Sequence, residues 1–171
     1  MKGPLGIYND VFDKGSAVQD LSICVKTLKN REDAKLFGQL VRYLNSIADI
    51  PEEEIALAEK YVRIMHLKKG EIFIKDDEVP DIGGFILKGL MRVFYIDEEG
   101  RDFTKFFSRE LDFITSFASF IERSESHLRI EALEDTTVCV IHYDTFRMFI
   151  ERDFCWLKIY TRSLERFYVI K

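Results

Sequence analysis

Cysteine is scarce and scattered in this sequence. The three in 171 residues, Cys24, Cys139 and Cys155, form no close pair, so a disulfide framework is excluded and reduced thiols in a cytoplasmic setting are expected. Histidine is equally sparse, and His66, His127 and His142 lack the spacing of metal ligands, which argues against a metal enzyme on a β fold. Basic excess is missing too. A net charge of -5 speaks against a nucleic-acid-binding surface on this chain. No apolar run approaches the roughly 18 residues of a membrane span, and the opening MKGPLGIYND has no signal-peptide core, so no membrane partner is expected. Neither a nucleophile motif nor a glycine-rich phosphate loop occurs, and the expectation is a protein that is not an enzyme.

What is present is a chain 47% hydrophobic and 32% charged, long enough for one sizeable core. Residues 1 to 30 form an N-terminal arm with a short helix over Ser16 to Lys29, where Val18, Leu21, Val25 and Leu28 fall at helical spacing. Residues 31 to 171 form the main domain. Asn30 is an N-cap for a helix with the stripe Leu36, Leu40, Leu44 and Ile47, ending near Asp49. Pro51 followed by three glutamates opens a second helix that reaches Tyr61.

From Val62 the period becomes strand-like. Runs at Arg63 to Leu67, Glu71 to Lys75, Gly84 to Leu87, Leu90 to Ile96, Arg101 to Phe107, His127 to Leu133 and Thr136 to His142 are separated by turn residues. The fold class read from this is mainly β with flanking helices. At this spacing the strands indicate a sandwich or a jelly roll (double-stranded β-helix), preceded by N-terminal helices and followed by a C-terminal helix. Within the strands, Thr115 to Glu122 carries Phe117, Phe120 and Ile121 at helical spacing, followed by the polar run Glu122 to Ser126. A helix start facing a strand across a polar loop is a plausible small-ligand cradle. After His142 come a helix with Phe146, Phe149 and Ile150 and, capped by Asp153, a last helix with Trp156, Tyr160, Leu164 and Phe167 along one face.

The stretch Lys68 to Phe107 resembles the first half of the cyclic-nucleotide-binding β-roll of the Crp/Fnr transcription regulators. Lys69-Gly70-Glu71 matches the strand-opening turn, Phe85-Ile86-Leu87 with Gly89 the glycine turn, and Arg92-Val93 with Gly100 the next hairpin. Glu131 to Asp135 resembles the turn before the last strand, and the likeness covers roughly Leu36 to Lys171. Two departures show: Asp77 stands where glycine is usual, and Gly83-Gly84 replace bulkier strand residues.

The resemblance implies a phosphate-binding cassette of glycine, glutamate and arginine, the glutamate holding the ribose and the arginine the cyclic phosphate. At family spacing those positions are Thr115, Ser116 and Ser126, so all three signature residues are absent. Losing a buried charge-assisted phosphate contact costs about 2–5 kcal/mol. The candidate ligand-binding residues are Thr115, Ser116, Phe117, Ser126, His127 and Arg129, with Arg129 the possible substitute cation. Inward rings of Phe113, Phe117 and Phe120 would fill the site. An iron–sulfur sensor of the Fnr type needs a cysteine cluster that Cys24 alone does not provide, so no cofactor is expected.

The resemblance also implies a homodimer joined through the last helix, with Trp156, Tyr160, Leu164 and Phe167 as interface residues; the alternative is that this aromatic stripe packs on its own β-roll. An unknown small-molecule effector fits the same picture, and DNA contact would need a helix-turn-helix domain that does not follow before Lys171. Two functions result from this reading. One is the effector-sensing domain of a Crp/Fnr-type regulator with a degenerate pocket; the other is a stand-alone β-roll scaffold without a small-molecule ligand.

Overall fold

The computed structural model describes residues 30–170, so the arm, its helix and Cys24 lie outside the described residues. Two helices lead into the roll. Asn30 accepts from the backbone N–H groups of Glu32 (2.6 Å) and Asp33 (3.0 Å), which caps helix α1, Arg31–Ile47. Helix α2 spans Glu52–Tyr61, with Pro51 at its N-cap and Glu52, Glu53 and Glu54 in its first turn.

Eight strands then form two antiparallel four-stranded sheets. They are β1 (Arg63–Leu67), β2 (Ile72–Ile74), β3 (Ile82–Lys88), β4 (Met91–Ile96), β5 (Asp102–Ser108), β6 (Phe113–Ile114), β7 (Arg129–Ala132) and β8 (Thr136–His142). The strand orders are β1-β8-β3-β6 and β2-β7-β4-β5, the pattern of a jelly roll. Helix α3, Phe117–Glu122, interrupts the strands, and α4 (Tyr143–Arg152) and α5 (Phe154–Ile170) close the chain.

Strand alternation sorts the core into two layers. Ile86, Met91, Val93, Ile114, Ile130 and Val138, at most 1% exposed, fill the space between the sheets. Phe85, Leu87 and Cys139, on the opposite face of β3 and β8, pack beneath α1, α2 and α5 together with Phe37, Leu40, Leu44 and Ile159.

The two departures, one in β3 and one in the β2–β3 turn, have physical causes. A Cβ at Gly83 would stand 2.7 Å from the Phe113 ring, and one at Gly84 2.5 Å from the Cys139 carbonyl oxygen, so side chains are excluded where β3 passes β6 and β8. This extends β3 two residues earlier than its apolar pattern indicates. Asp77 has φ 57°, the left-handed conformation that explains glycine's usual place there, and its N–H donates to the Ser126 carbonyl (2.8 Å).

Candidate functional site

The cassette segment is tied into the roll from its first residue. Leu111 donates its N–H to Ile86 O (2.8 Å), and Asp112 O accepts from Ile86 N–H (3.0 Å). The Asp112 carboxylate accepts from Arg109 N–H (3.1 Å) and from Arg166 Nε on α5 (3.0 Å). Two residues of β6 pair with β3, and Thr115 Oγ1 then donates to Ile82 O (3.0 Å). Thr115 and Ser116 are each only 2% exposed. The positions that stand in for the cassette's glycine and glutamate are therefore inside the protein rather than along an open cradle.

Helix α3 is a plug. It has only six residues, begins at Ser116 without a side-chain cap, and buries Phe120 completely against Tyr143 and Phe146 (ring centroids 5.2 and 5.4 Å). It ends where Arg123 takes a left-handed conformation, φ 56°. So short a helix offers no developed N-terminal anion site, and the cradle expected at its start is not formed.

Ser126, at the arginine position, is fully buried. Its N–H donates to Glu78 O (3.0 Å) and its carbonyl accepts from Asp77. Its Oγ donates to Leu128 O (2.8 Å) and accepts from Leu128 N–H (3.1 Å). The hydroxyl thus closes a turn on itself. His127 next to it is exposed.

Arg129 is paired with a carboxylate of the β2–β3 turn. Its Nε donates to Asp76 Oδ1 at 2.6 Å, a contact that holds the Asp76 carboxyl below the usual carboxylate range and raises the guanidinium further. A different arginine, passed over in the sequence because it lies in the polar run after the helix, is equally engaged. Arg123 donates to Pro80 O and Asp81 Oδ1 and lies over the Tyr143 ring, 4.3 Å from its centroid.

Aromatic rings join β5, α3 and α5. Phe167 meets Phe106 edge-on at 5.0 Å and Phe117 at 5.2 Å, and Phe117 meets Phe113 at 5.7 Å. Of the candidate ligand-binding residues, Phe117 joins this cluster, together with Phe113 and the candidate interface residue Phe167. Phe106 and Phe167 were not legible as pocket residues, because contact between β5 and α5 has no local signal in the sequence.

Three of the four α5 residues expected at a dimer interface, Trp156, Tyr160 and Phe167, pack on their own domain. Trp156 Nε1 donates to Glu54 Oε2 (2.8 Å) and its ring packs on Phe149 at 4.9 Å. Glu54, 4% exposed, also accepts from Arg152 Nε (2.7 Å), so this single buried carboxylate joins α2, α4 and α5. Tyr160 packs on Phe146, Phe167 is in the ring cluster, and Leu164 is half-buried. The residues left outward are Phe154 (75% exposed), Leu157 (40%), Tyr168 (79%) and Val169 (84%).

Among the described residues no group of histidine, cysteine and carboxylate side chains has the geometry to hold a metal ion, and no helix is long and apolar enough to cross a membrane.

Comparison with known proteins agrees with this architecture. Residues 64–153 match the cyclic nucleotide-binding domain family. No curated protein sequence matches the chain. Among solved structures, the catabolite activator protein of Thermus thermophilus is similar at 18% identity and TM-score 0.60, over 72% of this chain and 56% of that one. A putative Crp/Fnr-family transcriptional regulator from Eubacterium rectale is similar at 21% identity and TM-score 0.58, over 68% and 55%. The regulatory subunit of a cAMP-independent protein kinase A from Trypanosoma cruzi, bound to guanosine, is similar at 14% identity and TM-score 0.56, over 77% and 50%. The matched region is thus about half the length of these relatives. With a β-roll of the kind found in Crp/Fnr-type regulators, the chain belongs to the cyclic nucleotide-binding domain family.

Proposed function

We propose that this chain is a regulatory binding domain of Crp/Fnr type, not an enzyme, whose cassette has lost cyclic-nucleotide binding and whose pocket mouth is occupied by its own side chains. The observation that carries this reading is the burial of Ser116 and Ser126, at 2% and 0% exposure, where an accessible glutamate and arginine would be needed. Neutral hydroxyls contribute about 0.5–1.5 kcal/mol per hydrogen bond and do not replace a bidentate guanidinium on phosphate. Two further cations at the site's edge, Arg123 and Arg129, are held by Asp81 and Asp76. Thermal unfolding tests it: millimolar cyclic AMP or cyclic GMP leaves the melting temperature unchanged, and a concentration-dependent rise overturns it.

The domain works as a homodimer through the outward face of α5 in this reading. Phe154, Leu157, Thr161, Leu164 and Tyr168 recur at alternating spacings of three and four, the a and d positions of a heptad seam. Such an apolar stripe is what monomers avoid leaving in water. Light scattering at tens of micromolar is expected to give twice the 20.1 kDa of one chain, and Leu157→Glu to halve it. A wild-type protein at 20.1 kDa contradicts the dimer.

The filled mouth also favours the second reading, a β-roll scaffold that binds other proteins and no small molecule. Guanosine separates the two. It has no phosphate to neutralise, and it is bound by the Trypanosoma cruzi relative. Saturable guanosine binding supports an effector domain with altered ligand choice, and its absence supports the scaffold.

A further inference from the structure

A cavity of about 90 Å³ lies on the far side of the β1-β8-β3-β6 sheet from the inner core, under the helices. Its floor includes Phe85 and Cys139, which are register partners on β3 and β8, with Phe113 of β6 beside them. Phe146 of α4 and Trp156 and Tyr160 of α5 line the opposite side.

Two features keep this space from collapsing. The floor is set by the strand register, so Phe85 and Cys139 cannot rise without breaking ladder bonds. The rings above are locked edge to face, Phe146 with Tyr160 at 5.3 Å and 79°, and Trp156 is pinned through Nε1 to Glu54. A ring turning into the void would leave that buried carboxylate short of a donor.

The space is also unsuited to water. One water needs about 10–15 Å³ and two to four polar partners. Volume is sufficient here, but the surface facing the space is apolar: Trp156 Nε1 is taken by Glu54 and the Ser163 hydroxyl donates back to Ile159 O (2.9 Å). Dry cavities lined by aliphatic and aromatic side chains take small apolar molecules, and one of about 150 Å³ accepts benzene or xenon.

We propose that this cavity is a binding site for a small apolar molecule no larger than a single aromatic ring and without hydrogen-bonding groups. Ring faces and edges supply the contacts, with the neutral Cys139 thiol as a polarisable patch on the floor. The site is separate from the cassette, which lies beyond Phe113, and an occupant would touch both the sheet and α5. It therefore has a position from which to change how α5 lies on the roll.

Methyl NMR of the full chain, titrated with benzene and, separately, under xenon pressure, tests the assignment. The expected result is saturable shifts of the lining methyls of Val41, Ile141 and Ile150, with those of Val93 and Ile130 in the inner core unmoved. Benzene should raise the melting temperature as well. Ala58→Leu, which adds bulk at a 7% exposed lining position, should weaken benzene binding at least tenfold. Unmoved lining methyls in the wild-type protein overturn the proposal, and so do non-saturating shifts of equal size in both cores. A folded Ala58→Leu protein that binds benzene as well as wild type also overturns it. If that variant does not fold, the wild-type titration decides alone.

Discussion

The strands of the roll and its cassette segment answer to different constraints. Where packing sets the residue, as at Gly89 with φ 107° or at the fully buried Ile86, Val93 and Ile130, this chain keeps what a β-roll requires. Where ligand chemistry sets it, at Thr115, Ser116 and Ser126, the chain has small neutral side chains that bond to their own backbone surroundings or are buried. In the proposed reading the roll persists without the cassette's two charges, and buried Ser116 and Ser126 in their places make the segment part of the fold.

That contrast can be broken most sharply at Phe120. If α3 is a structural plug, Phe120→Ala should destabilise the protein by about 3–5 kcal/mol, as for other fully buried phenylalanines. Urea unfolding measures it, and a loss below about 1 kcal/mol would mean that α3 is a detachable lid.

A smaller effect is expected where the cassette's last strand meets the β2–β3 loop. The Asp76 carboxyl is held below its ordinary value, about 3.9 in the unfolded chain, by the hydrogen bond from Arg129. The depressed value means that the unfolded state takes up the proton first. The contribution is fully present above about pH 3.9 and is lost as pH falls through the lower folded value. With side chains 28% and 39% exposed, the pair is screened by solvent and its contribution is small. Asp76→Asn should flatten the acid limb of the urea midpoint plotted against pH, and an unchanged limb would show that Arg129 is not committed to Asp76.

The smallest expected change is a gain. Asp77→Gly relieves a left-handed residue at φ 57° while keeping the N–H that reaches Ser126, and should add a few tenths to about 1 kcal/mol. A loss would assign the Asp77 side chain a role of its own.

Much of this architecture is legible in the residues. Alternating apolar positions and turn glycines give the long strands, and Asn30, Pro51 and Asp153 give the helix starts, Asp153 by accepting from Cys155 N–H at 2.8 Å. Strand β6 was not foreseen, since two residues carry no period, and β3 was read short because Gly83-Gly84 interrupt its apolar pattern. The face of α5 was misjudged for a different reason. Both sides of that helix are apolar, and hydropathy does not say that Trp156 will find Glu54 while Phe154 remains outside. The loss of the cassette signature could be read directly, whereas the ring cluster depends on contacts between β5, α3 and α5 that are distant in the chain.

Calorimetric titration of the full chain with cyclic AMP and with cyclic GMP bears most directly on the central claim that the cassette segment has become part of the fold. The account predicts no saturable heat from either nucleotide at micromolar concentration. A micromolar or tighter dissociation constant for either one, abolished by Arg129→Ala, would contradict it and show that the site can open and recruit its cation from Asp76.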